Sequence, residues 1–235
     1  MAKNTYQTYT DETPIETYRS DFIRRSAMCG AIAQRYPDLA AVATEANAVL
    51  GQIDGRLGGL QQAEDDQVRA KALEDVAKLD VVDIYAELRG IMSAKGRDVM
   101  TLLPDAPSAL GRLGAKTFRE RADRAVANLK ALPDGDALKA DLLPKLQQEL
   151  AEFREADVAE DVTRGSLQSG KMALLLYKTE LSQVRETQLG AIQKVFGDRD
   201  RTAQFTIPWR KASKKSSEEP EETETPPAAE TPPKP

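Results

Sequence analysis

An all-α fold, an elongated helical bundle, is the class this 235-residue sequence predicts, on three observations. Apolar residues recur at steps of three and four, the spacing of one helix face. Ala, Leu, Glu, Lys, Arg and Gln are heavily used and aromatics make up only 5%, a mixture that loses little side-chain freedom in a helix. Few stretches alternate apolar and polar with the β-branched enrichment a sheet needs.

The elements follow in order. Residues 1–12 are polar and predict a flexible N-terminus. Thr13-Pro14-Ile15-Glu16 reads as a helix start, with Thr13 as cap, Pro14 in the first turn and Glu16 reaching back. Ile15, Tyr18, Phe22, Arg25, Cys29, Ile32 and Tyr36 then form one face, and Pro37 ends it by excluding the residue before it from the helical region. Leu39, Val42, Ala46, Val49, Ile53, Leu57 and Leu60 make a second stripe. Gly51, Gly55, Gly58 and Gly59 interrupt it, each costing about 1 kcal/mol against alanine, and predict a kink or a close helix crossing. A turn is expected around Ala63-Glu64-Asp65-Asp66, whose acids suit a new first turn. Ala77, Val81, Ile84, Leu88 and Ile91 form the third stripe, closed by Pro104 and Pro107.

The second half resembles the first. Phe22-Ile23-Arg24-Arg25 precedes Pro37-Asp38, and Phe118-Arg119-Glu120-Arg121 precedes Pro133-Asp134, with eleven residues between in both cases. Further on, an offset of 93 pairs Val49 with Leu142, Ile53 with Leu146, Val81 with Leu174 and Leu88 with Leu181. The spacing predicts two duplicated three-helix units, 13–103 and 107–198, with third helices of about 30 residues and so about 45 Å long. An apolar segment, 199–209, and a disordered tail, 210–235, complete the chain, the tail being too rich in Pro, Glu and Thr to bury a core.

Composition narrows the function. A net charge of −5 and a pI near 5.1 argue against general nucleic-acid binding, which draws on cationic contacts to phosphate. No run of about 18 apolar residues predicts a transmembrane segment. One cysteine and a polar N-terminus point to the cytoplasm. The absence of histidine removes the usual general base, the Ser-His and Cys-His triads and the Glu-x-x-His pairs of di-iron bundles. Carboxylate or lysine chemistry survives that exclusion. No catalytic residue, metal ligand or cofactor is assigned: the glycines lack a following GKS or GKT, and the acidic groups lack calcium-loop spacing.

Candidate residues remain. Cys29, on an apolar stripe, reads as a small buried hydrophobe, the alternative being a thiol activated by Arg24 and Arg25. Arg25 and Arg121, at equivalent repeat positions, either hold an anion or a partner's carboxylate in a bidentate fork or lay their stems over the core. Phe205, Ile207 and Trp209, followed by Arg210 and Lys211, either plug one end of the bundle or offer a linear motif to a partner's groove. The expectation is a non-enzymatic structural or interaction protein that docks a protein partner or self-associates. The alternative is a small-ligand binder or regulator with a pocket between the units.

Overall fold

A computed structural model describes residues 8–207. Helices take up 82% of them, with no strand among the described residues, and no helix there is long and apolar enough to cross a membrane. The order is α1 (Ile15–Ile32), α2 (Asp38–Ala94), α3 (Val99–Leu102), α4 (Pro107–Leu110), α5 (Ala115–Lys130), α6 (Ala137–Asp141), α7 (Leu143–Phe196) and α8 (Arg199–Ala203). Two of these dominate: α2 has 57 residues and α7 has 54.

α2 and α7 run antiparallel. Gln67 Nε2 donates to Glu160 Oε1 at 3.3 Å and Tyr177 Oη to Gln52 Oε1 at 2.9 Å, so α7 descends as α2 climbs. Their contact seam repeats every seven residues: Leu39, Ala46, Ile53, Leu60, Gln67, Glu74, Val81 and Leu88 on α2, and Leu146, Phe153, Glu160, Leu167, Leu174, Leu181 and Gln188 on α7. A strict seven-residue repeat keeps one face on its partner only when the helices supercoil.

The expected turn at Ala63–Asp66 does not form. The second and third predicted helices are one continuous helix, about 85 Å long by rise alone, so the three-helix units and their 45 Å helices are corrected. Gln61 and Gln62 each donate to the aspartate four residues on, at 3.1 and 2.8 Å, which carries the helix through the acidic stretch. Nor do the glycines mark a crossing. A Cβ placed on Gly51, Gly55, Gly58 or Gly59 meets nothing within 4 Å, whereas on Gly170 it would lie 3.5 Å from Leu60. The close approach is on the other long helix.

The start of α1 also differs. Pro14 is its N-cap and no side chain caps it; the Thr13 hydroxyl instead accepts from Thr10 N–H at 3.0 Å. The preceding strand of chain is held down as well. Tyr9 is buried, the Tyr18 hydroxyl donates to the Thr10 carbonyl at 3.1 Å, and Lys178 donates to the Asp11 carbonyl at 3.0 Å. Of the stretch 1–12 expected to be flexible, residues 9–11 are therefore held against the bundle, and residues 1–7 lie outside the described residues. At the far end of α7, Gly197 takes a left-handed φ of 66°, where glycine carries no steric penalty.

Apolar packing collects at the two ends. At one, Tyr18 and Phe22 of α1 pack with Ala46 and Ile53 of α2 and Leu181 of α7, and beside them Cys29, Leu39, Ile192 and Phe205 cluster. At the other, α5 lays Phe118, Ala122 and Leu129 against Tyr85, Leu88, Leu146 and Phe153. Each end bundle thus draws on both halves of the chain. Phe22 and Phe118 are both fully buried, one in each end.

Candidate functional site

Between the two ends lies a waist only two helices thick. The heptad positions beside the seam show what is missing there. On α2, Asn47 accepts from Ser26 at 2.7 Å and Asp54 pairs with Arg19 at 2.6 Å, both under α1, and Val82 lies close to Gly111, just after α4. The intervening members of that stripe, Gln61, Val68 and Asp75, face no third helix. On α7 the matching stripe starts at Arg154, paired with Asp123 of α5, and ends at Ser182, hydrogen-bonded to Tyr18 of α1. Between them, Asp161 lies beside the start of α5, and Gln168 and Leu175 are exposed.

The waist seam carries buried carboxylates. Glu74, Asp157 and Glu160 are buried, and each takes a half-exposed cation from the side. Lys71 reaches Glu74 at 2.6 Å, Arg119 reaches Asp157 at 3.0 Å and Arg164 reaches Glu160 at 2.9 Å. Burying a carboxylate costs several kcal/mol unless it is paired, and only a thin waist gives water and long cationic side chains access to the seam. These residues, with Lys116 and Asp161, line a groove of about 380 Å³ under the start of α5. No group of three metal-ligating side chains is found among the described residues.

Apolar side chains appear instead on the outer edges. Among the described residues, large exposed ones gather in the waist: Val68, Leu73, Val76 and Leu79 on α2, and Val158, Val162, Met172, Leu175 and Leu176 on α7, with only Ile23 and Met100 elsewhere. The sequence reading missed these positions, because the stripes it followed were those that became the core.

Two predicted candidates, Arg25 and the segment with Phe205 and Ile207, come together at the α1 end through Asp21. Asp21 and Arg25 are fully buried. Asp21 Oδ2 accepts from Arg25 and from Arg185 Nε at 3.0 Å, while Arg25 Nη1 donates to Gln188 at 3.0 Å. Burial pushes the Arg25 guanidinium below its ordinary value, opposed by Asp21 beside it. Asp21 Oδ1 accepts the Ile207 backbone N–H at 3.0 Å, and Arg24 donates to the Gln204 carbonyl at 2.8 Å. The returning chain is thereby seated, with Phe205 buried and its ring 5.6 Å from that of Phe196. Trp209, Arg210 and Lys211 lie outside the described residues. Arg121 is 40% exposed and 3.7 Å from Asp105, so it and Arg25 occupy unlike surroundings. Cys29 is buried and its thiol is pushed up to about 11 by burial, which keeps it a thiol near neutral pH.

Two expected results follow from this end of the molecule. Deleting residues 218–235 leaves the melting temperature unchanged, since a stretch so rich in Pro, Glu and Thr supports no core, whereas deleting 199–235 lowers it by removing Phe205; equal melting of both truncations would contradict the seating. The second concerns alkali. Burial, aided by Asp21, raises the Tyr9 phenol to about 12, and Cys29 is raised likewise. Both groups bind protons more tightly folded than unfolded, so their stabilisation is intact below pH 9 and is lost as pH rises through 11–12. Melting temperature therefore falls over that window, and less steeply in Tyr9→Phe; identical slopes would show a solvated Tyr9.

No protein-family model, curated protein or solved structure matches the chain.

Proposed function

We propose that this is a non-enzymatic interaction protein, whose waist docks a macromolecular partner or a second copy of the chain. The observation that carries this reading is the concentration of exposed apolar side chains on the outer edges of the waist. Exposed apolar patches on a water-facing surface mark contact sites, and here they lie where two helices run with no third. The ends supply rigidity, holding α2 and α7 in register. Phe205 and Ile207 are read as a plug that closes one end, and Arg25 as a structural cation shared between Asp21 and Gln188.

The chain is further read as a duplication. In each half a shorter helix bearing a buried phenylalanine, α1 or α5, precedes a long one, and the offset of 93 pairs Gln67 with Glu160, which touch at 3.3 Å. Residues related by a dyad through an antiparallel pair meet in this way at its centre.

A second reading, a small-ligand binder, is favoured by the groove under α5. Its lining of paired charges suits a small, multiply charged ligand rather than an apolar one.

A pull-down tests the first reading. The full chain retains its partner, and the triple variant Val76→Glu, Val162→Glu, Leu176→Glu releases it with helicity unchanged, because all three side chains are exposed. Retention by both would contradict it.

A further inference from the structure

We infer that the waist pairs with a second copy of itself, α7 against α7 in antiparallel orientation. The inference rests on the interaction reading above and names its partner.

The outer edge of α7 carries a second heptad seam. Val158, Val162, Gly165, Ser169, Met172 and Leu176 step by four, three, four, three and four, the spacing of one coiled-coil face. All six are exposed, the four large ones at 58, 63, 59 and 63%. They lie opposite the positions that meet α2, so one helix carries two seams and only one is filled.

The order of side chains is symmetric about residue 167. Two large residues, two small ones and two large ones follow each other. Turned about a two-fold axis, Val158 meets Leu176 of the second copy, Val162 meets Met172, and Gly165 meets Ser169 at the centre. Small residues there let the backbones approach while the large ones interlock on either side. Such a contact is isologous and closes on itself as a dimer. The matching edge of α2 offers a shorter run, Ala72, Val76 and Leu79, bounded by Arg69 and Asp83.

Charge supports the same occupant. Charged residues of this stretch are engaged within the chain: Asp157 with Arg119, Glu160 and Asp161 with Arg164, Lys171 with Glu64 at 3.8 Å, and Lys178 with the Asp11 carbonyl. The outer seam itself carries no charge. A charged partner face would be left unpaired against it, whereas a second copy presents an uncharged seam of equal pitch and length, and no like charges come opposite. The seam is about 27 Å long by helical rise. That places the interface at the small, reversible end of the range, with a dissociation constant on the order of micromolar.

Sedimentation equilibrium of the full chain tests this. The mass rises with concentration from 25.8 kDa toward twice that value, and Val162→Glu or Leu176→Glu holds it at the monomer with circular dichroism unchanged. Orientation is read by oxidation: Val158→Cys mixed with Leu176→Cys gives a cross-linked dimer, and neither variant alone does so. A monomer at every concentration up to roughly a millimolar overturns the inference, as does self-cross-linking of Val158→Cys, which would mean parallel pairing. A monomeric chain whose partner is still lost in the triple variant sinks the second copy while leaving the waist an interaction surface.

Discussion

Asp21→Ala lowers the stability of the chain by about 3–5 kcal/mol, the cost of breaking a buried ion pair from one side. The carboxylate stands between two guanidiniums, Arg25 and Arg185, neither of which reaches solvent by more than a few per cent. Removing it leaves two like charges in a site from which water is excluded. It also removes the acceptor of the Ile207 N–H, so the segment that carries Phe205 loosens with it. Asp21→Asn separates the two effects: the amide oxygen still accepts from Ile207, but the negative charge is gone. Urea unfolding gives the stability and limited trypsin digestion beyond Arg199 gives the loosening. Both variants lose stability, and only the alanine variant becomes markedly easier to cleave. A loss under about 1 kcal/mol, the value for solvated surface pairs, would show that water reaches the cluster.

Phe118→Ala costs about 3–5 kcal/mol, as emptying a buried phenylalanine site does, and Phe22→Ala costs about the same. Phe118 meets Phe153 edge to face at 4.7 Å and lies under the Lys78 ammonium at 5.3 Å, so its site closes poorly once vacated. Phe22 carries the Arg25 guanidinium over its ring at 4.9 Å. The two rings belong to clusters with no shared member, separated by the charged waist. Their losses therefore add in the double variant. A sum falling short by more than about 1 kcal/mol would mean that the two sites interact across the waist in the folded chain.

Much of the fold was legible in the sequence where one side chain decides it. The α1 stripe from Ile15 to Cys29 and the seam residues Leu39, Ile53, Val81 and Leu88 were readable because apolar periodicity is a local signal. Continuity through 51–66 was not. Glycines and clustered acids look like punctuation along a single helix, and they are tolerated here because they face water or a cation supplied by another helix. The charged half of the seam was illegible for the same reason. Glu74, Asp157 and Glu160 break the apolar pattern; Lys71 and Arg164 stand one turn from Glu74 and Glu160 on their own helices, but the burial of these carboxylates, and the reach of Arg119 from α5 to Asp157, are fixed by tertiary packing. At the C-terminal end, the sequence singled out Phe205 and Arg25 separately. What joins them is Asp21, whose place on α1 gave no signal by composition.

The whole account depends on α2 crossing the waist unbroken, since only then are the outer edges of α2 and α7 left bare. Spin labels at Ala48 and Asp80, both exposed, in a Cys29→Ala background, measure this directly by electron–electron double resonance. An unbroken helix sets the two positions about 48 Å apart at 1.5 Å per residue. A chain that turned at Ala63–Asp66 and packed back on itself would bring them within roughly 20 Å, twice the usual spacing of packed helices, and would contradict the account.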